Sequence, residues 1–262
     1  MAYSLTWLPE VLRAVDLKVA EVDGWQTRGR GDVGKICGVI CHHTANPVKS
    51  ANMPALWGLI KGRPDLSGPL AQLGLGRDGT YYVIAAGRCN HAGKGIWKGI
   101  STGNSSFIGI EAENTGLNDD FPWPEVQMDA YARGVAAILK HLNRGVEFCA
   151  GHKEYARPLG RKPDPHFDMS TFRASVAGFL DGTHQPSALI PATEPVPDGR
   201  PTLRRGSLGD SVKDVQSKLH LQIDGEFGPN TEAAVRQFQR EKALVPDGIV
   251  GPKTWAAIDL VQ

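Results

Sequence analysis

The stretch from Gly151 to Asp168, GHKEYARPLGRKPDPHFD, gathers residue types suited to chemistry: His152, Lys162 ten residues on, and Asp164 two further. Neutral imidazole and carboxylate are both zinc ligands, and an ammonium group beside them can neutralise an anion forming near the metal. Pro158, Gly160, Pro163 and Pro165 give the stretch a loop character, with neither a helical nor a strand period to explain its charges. A His and an Asp twelve residues apart are also commonly unrelated surface groups. A metal site therefore needs a third ligand and a base from elsewhere in the chain.

Two other segments offer them. In KICGVICHHTA the apolar residues from Ile36 to Cys41 fall on both faces, as in a buried central strand, and run straight into His42 and His43. The plainer alternative there is a pair of hydrogen-bonded histidines at a strand end. In FIGIEAE, a second central strand over 107–113, Ile108 and Ile110 face one way, and Gly109, Glu111 and Glu113 the other. A carboxylate on an inner sheet face needs a cation or donor nearby. That favours a site role for Glu111, whereas Glu113 fits a solvated edge. His42, His152 and Asp164 would complete a catalytic zinc set with one position left for water. Glu111 would act as base and Lys162 as oxyanion stabiliser.

The elements that must position these residues can be traced along the chain. A short helix is expected over 8–19, with Leu8, Val11, Leu12 and Val15 on one side, and another over 52–60. Residues 73–75 and 80–85 read as a hairpin around Arg77-Asp78-Gly79. The longest helix spans 124–143, with Tyr131, Val135, Ile138 and Leu142 on one face. A strand over 146–150 leads into the loop at Gly151, and a helix carrying Phe172, Val176, Phe179 and Leu180 follows it. This order predicts an α/β domain, a mixed central sheet with flanking helices, over residues 1–180, with 1–34 as an N-terminal extension.

Pro186, Pro191, Pro195, Pro197 and Pro201 mark 181–202 as a linker. Residues 203–262 hold an internal repeat: Asp224 to Val235 matches Asp247 to Ile258 at an offset of 23, each copy an Asp-Gly turn followed by Gly-Pro-x-Thr opening a helix. Eight Lys/Arg balance eight Asp/Glu in this part. A small three-helix domain without charge bias is better suited to binding than to a second chemistry.

The 262 residues carry a net charge of +1, which argues against a general electrostatic grip on nucleic acid. Cys37, Cys41, Cys89 and Cys149 form no CxxC pair and read as buried free thiols. The N-terminus lacks a basic flank followed by an apolar run, and no segment is long enough to span a membrane. The expectation is a protein made in the cytoplasm, without membrane insertion, that another factor must release if it works outside.

The motifs VICHHTA, RDGTYYV followed by NHAG, IGIEAEN and GHKEYARPLGRKPDPHFD resemble those of the type-2 N-acetylmuramoyl-L-alanine amidases, zinc enzymes that share their fold with peptidoglycan recognition proteins. The resemblance spans 35–180. It implies Zn2+ held by His42, His152 and Asp164, Glu111 and Lys162 as catalytic groups, and His91 near the substrate. Ala71 stands where some members carry a catalytic tyrosine, which implies the glutamate-using branch. The insertion from Arg157 to Arg161 makes Asp168 the substitute candidate for the third ligand. Residues 203–260 resemble the peptidoglycan-binding domain type 1, and the combination resembles endolysins of bacteriophages. The implied activity is cleavage of the amide between N-acetylmuramic acid and L-alanine in peptidoglycan. A non-catalytic recognition protein and a zinc endopeptidase are the competing readings. Oligomeric state is open at this level.

Overall fold

The computed structural model describes residues 1–49, 51–184, 200–242, 244 and 248–260. The chain divides into two units, Met1–Leu189 and Ile190–Gln262. Most of the expected linker, residues 185–199, lies outside the described residues, as does Asp247 of the repeat.

The first unit runs α1 (Leu8–Arg13), β1 (Val19–Glu21), β2 (Gly38–His43), α2 (Leu56–Lys61), β3 (Gly62–Arg63), β4 (Leu66–Ser67), β5 (Leu73–Leu75), β6 (Tyr81–Val83), α3 (Gly103–Ser106), β7 (Phe107–Ala112), α4 (Glu125–His141), β8 (Cys149–Gly151), α5 (His152–Tyr155) and α6 (Met169–Asp181). Six strands form one mixed sheet in the order β1-β6-β5-β7-β2-β8. Only the β5–β6 hairpin pairs antiparallel; the other neighbours are parallel. The fold is therefore α/β with a mixed central sheet, as the element order implied.

Strand β2 lies between β7 and β8 and is buried at all six positions, which explains its near-continuous apolar run. Its alternation sorts the sheet's two faces. Val39 and Cys41, with Ile108 and Ile110 of β7, join the main core together with Val135, Ile138 and Leu139 of α4 and Phe172 and Val176 of α6. Ile40 and Phe107 face the other way, into a small cluster with Ala92, Ala150 and Tyr155. His42 shares that second face by strand parity, and the β2–β7 register sets it directly beside Glu111. Tyr131 of α4 braces this point: its hydroxyl accepts from His42 N at 3.0 Å and donates to the Ile110 carbonyl at 2.9 Å.

Several local expectations need correction. The first helix stops at Arg13 rather than at 19; after Asp16 turns through a positive φ of 56°, Val19–Glu21 adds to the open edge of β6 as β1. The second helix begins at Leu56, not 52. Residues 146–148 form a 3-10 turn, and the strand is the shorter β8. The segment after Gly151 is not loop throughout, because α5 opens at His152, with Glu154 reaching back to Gly151 N at 2.8 Å. Cys41, Cys89 and Cys149 are buried free thiols, whereas Cys37 is half-buried.

In the second unit the described residues form α7 (Asp210–Lys218), α8 (Pro229–Glu241) and α9 (Pro252–Asp259) around Leu203, Val212, Phe227, Val235, Val250, Trp255 and Ile258. The repeat is deeper than its turn sequences. Gln216 and Gln239, themselves 23 residues apart and each 1% exposed, clamp the successive turns. Gln216 accepts from Gly225 N at 2.9 Å and donates to Thr231 Oγ1 at 3.1 Å. Gln239 does the same with Gly248 N at 2.8 Å and Thr254 Oγ1 at 3.1 Å. A buried amide satisfied from both ends holds the Gly turn against the next helix.

Candidate active site

Three side chains from distant parts of the sequence converge on the second face of the sheet. His42 comes from β2, His152 from the first residue of α5, and Asp164 from the loop before α6. The Nδ1 atoms of the two histidines are 3.0 Å apart, and Asp164 Oδ2 lies 3.1 Å from His42 Nδ1 and 3.0 Å from His152 Nδ1. All three residues are buried. Among the described residues this is the one cluster of His, Cys, Asp and Glu with metal-ligand geometry.

The ring environments test whether the cluster suits a metal. His152 Nε2 is 2.9 Å from the Ala92 carbonyl, which only accepts, so Nε2 carries the proton and Nδ1 presents a lone pair. His42 Nε2 is occupied by His91 Nδ1 at 3.1 Å, again leaving Nδ1 for the cluster. Two imidazole lone pairs and a carboxylate oxygen within such distances repel one another unless a cation, proton or metal, sits among them. Three atoms about 3 Å apart can all lie about 2 Å from one ion, the usual Zn–N and Zn–O bond length. The donor set therefore fits zinc.

Electrostatics agree with the geometry. Burial, reinforced by the neighbouring His152, lowers the His42 pKa to about 4, so the ring is neutral at physiological pH. Burial alone would raise the Asp164 carboxyl, but the adjoining His152 and His42 side chains prevail and hold it well below the usual carboxylate range. Glu111 stands beside the cluster, its Oε1 3.9 Å from His42 Nδ1 and its side chain 15% exposed. Its Oε2 is buried with no hydrogen-bond partner among the described residues. Burial, and then the charge of Asp164, raise its pKa well above the ordinary value; the positive charge of Lys162 works against them. A carboxylate with raised proton affinity beside a cation site is suited to taking and returning a proton. Lys162 is half-buried and acts on both Glu111 and His42 through its charge.

The remaining candidates take other places. Asp168 is exposed and caps α6, its Oδ1 accepting from Thr171 N at 2.6 Å; it does not join the cluster. Glu113 departs from the solvated-edge expectation. It is fully buried, accepts from Thr44 Oγ1 at 2.8 Å and from Ala55 N at 3.0 Å, and ties the chain after β2 to the start of α2. His91 was expected against the substrate, but it is 7% exposed and both ring nitrogens face protein partners, His42 Nε2 and the Phe107 carbonyl. Sequence reasoning also missed Asn104, the Ala92 and Phe107 carbonyls and Tyr131, all of which hold the histidines in place. Backbone carbonyls leave no trace in residue identity. Gly109, on the site-facing side of FIGIEAE, was the one available hint.

Comparison with known proteins agrees with the two-unit organisation. Residues 32–167, just over half of the chain, match the N-acetylmuramoyl-L-alanine amidase family, and residues 209–258 match a peptidoglycan binding domain family. An uncharacterized protein from the bpoA1 3' region of Kitasatospora aureofaciens is 39% identical over 95 residues, 34% of this chain and 78% of that protein. The zinc D-Ala-D-Ala carboxypeptidase of Streptomyces albus G is 42% identical over 69 residues, 23% of this chain but only 27% of that protein. Among solved structures, a selenomethionine derivative of AmpD aligns over 67% of this chain and 99% of its own, at 23% identity and a TM-score of 0.47. The site geometry stands without that last likeness, and the family match covers the β2, β7 and β8 residues and the loop that build it. The chain belongs to the N-acetylmuramoyl-L-alanine amidase family and is an amidase.

Proposed function

We propose that the chain is a zinc-dependent amidase that cuts the bond between the lactyl carbonyl of N-acetylmuramic acid and the amine of L-alanine in peptidoglycan. The observation that carries this reading is the convergence of His42 Nδ1, His152 Nδ1 and Asp164 Oδ2 within 3.0–3.1 Å of one another, with Glu111 alongside. His42, His152 and Asp164 would hold the ion. When bound, zinc supplies Lewis acidity toward a water molecule and the substrate carbonyl. Glu111 takes the proton from the attacking water and returns it to the departing amine as the C–N bond breaks. Lys162 offsets the negative charge that develops on the carbonyl oxygen. The second unit, through its peptidoglycan-binding family, keeps the enzyme on its polymeric substrate.

We read the biological setting as lysis of a bacterial host by a bacteriophage, with the enzyme made inside the cell and released to the wall by another factor. The pairing of the two domains supports this reading. Mass spectrometry of digested walls, with and without a chelator, tests the chemistry. Free L-alanine amino termini on intact glycan chains, lost on chelation and restored by zinc, are the expected products. New termini within the stem peptide would indicate an endopeptidase instead, and no release at all a recognition protein.

A further inference from the structure

We propose that His91 is a positioning residue that, together with the carbonyl of its neighbour Ala92, sets which nitrogen each metal-site histidine presents. The proposal rests on the metal reading given above and goes beyond it. His91 Nε2 is 3.1 Å from the Phe107 carbonyl oxygen, which can only accept, so Nε2 must carry a proton. With Nε2 donating to that carbonyl, Nδ1 is the acceptor nitrogen of the imidazole tautomer. That acceptor lies 3.1 Å from His42 Nε2. His42 therefore keeps its proton on Nε2 and turns a bare Nδ1 toward Asp164 and His152. One residue later, the Ala92 carbonyl accepts from His152 Nε2 at 2.9 Å and imposes the same tautomer on the second ring. Two consecutive residues thus orient both imidazoles.

The loop carrying them is itself held. Asn104 Oδ1 accepts from His91 N at 3.0 Å and from Ala92 N at 2.8 Å, so a single side chain fixes both peptide units. Space for the ring comes from β7: a Cβ on Gly109 would stand 2.6 Å from His91 Cγ, closer than any side chain tolerates. The glycine in the strand, the asparagine in α3 and the histidine in the loop serve one geometry. A substrate contact would need a free ring nitrogen, and His91 has none.

The test uses the full chain with 15N-labelled histidine. Ring NMR of the zinc-loaded protein should show both His42 and His152 bound through Nδ1 and protonated at Nε2. Competition with a chromophoric chelator should show zinc affinity reduced about 10–100-fold in His91→Leu, the range for loss of an orienting partner. His91→Asn, whose Oδ1 restores an acceptor near the position of Nδ1, should recover most of it. Zinc affinity in His91→Leu within twofold of the unmodified chain, with only KM for a soluble muropeptide raised, would overturn the proposal in favour of a substrate contact. Coordination of the unmodified chain through His42 Nε2 would overturn it as well, and that measurement needs no variant to fold. An unmodified chain that binds no zinc would sink the metal reading itself.

Discussion

Glu111→Gln isolates the proton-transfer step from metal binding. The amide keeps the size and shape of the carboxylate but cannot accept a proton. Glu111 Oε1 lies 3.9 Å from His42 Nδ1, outside the triangle of 3.0–3.1 Å contacts, so three ligands survive the change. A positioned base contributes roughly 10²–10⁴-fold, or about 3–5 kcal/mol of barrier. The variant should therefore bind stoichiometric zinc with kcat on a soluble muropeptide lowered by that factor and KM little changed. Stability should move the opposite way. The Oε2 atom is buried without a partner among the described residues, and burial disfavours the charged form. Replacing the carboxylate by a neutral amide should raise the Tm of the zinc-free protein, the trade-off expected where a strained group serves function. Zinc content by elemental analysis, steady-state kinetics and a thermal melt suffice. A variant with full zinc and kcat within threefold of the parent would remove Glu111 from the chemistry.

His42→Ala, His152→Ala and Asp164→Ala should each lose both zinc and activity, because three ligands leave no redundancy; in contrast, Asp168→Ala should keep its zinc and lose about 1 kcal/mol of stability through the missing α6 cap, as read by chemical denaturation. Acidification supplies a sign test on the zinc-free protein. His42, His43 and His91 are held below the ordinary histidine value chiefly by burial, so the unfolded chain binds more protons and these rings cost stability as pH falls below about 6.5. Glu111 is raised, binds its proton more readily in the folded state, and opposes that loss between its unfolded value near 4.5 and its higher folded one. Stability of Glu111→Gln should consequently fall more steeply than that of the parent as pH drops from about 6.5 to about 4.5; an identical slope in the two proteins contradicts the burial assignment. A chain ending at His184 should cleave a soluble muropeptide at the parental rate and lose much of its activity on intact walls, with wall binding only mildly salt-dependent because residues 203–262 carry equal numbers of positive and negative charges. Equal slowing on the soluble substrate would show instead that the second unit completes the catalytic one.

The sequence by itself determined the ingredients and much of the frame. Alternation in GVICHH and FIGIEA marked two central strands because a buried strand in a parallel sheet must be apolar on both faces, and any polar exception then stands out. His42 and Glu111 were such exceptions. The period of 23 exposed the second unit's architecture for a similar reason: each copy needs the same turn glycine and the same helix opening, so residue identity carries the signal. Short-range chemistry was legible wherever one residue type is required.

Only the tertiary structure decided what depends on partners remote in sequence. Which carboxylate faces the histidines was undetermined along the loop, since Asp164 and Asp168 are equivalent as residue types; folding sends one to the cluster and the other to the first turn of α6. Glu113 looked solvent-bound from its place at the end of the strand, yet Thr44 and the backbone of Ala55 enclose it. The extent of β1 and the start of α5 were also hidden, because a three-residue strand and a four-residue helix take their stability from the neighbours they dock against rather than from a period of their own. The same holds for His91. Its chemistry is set by a carbonyl on β7, a ring on β2 and a glycine that leaves it room, and none of these contacts exists until the sheet has assembled.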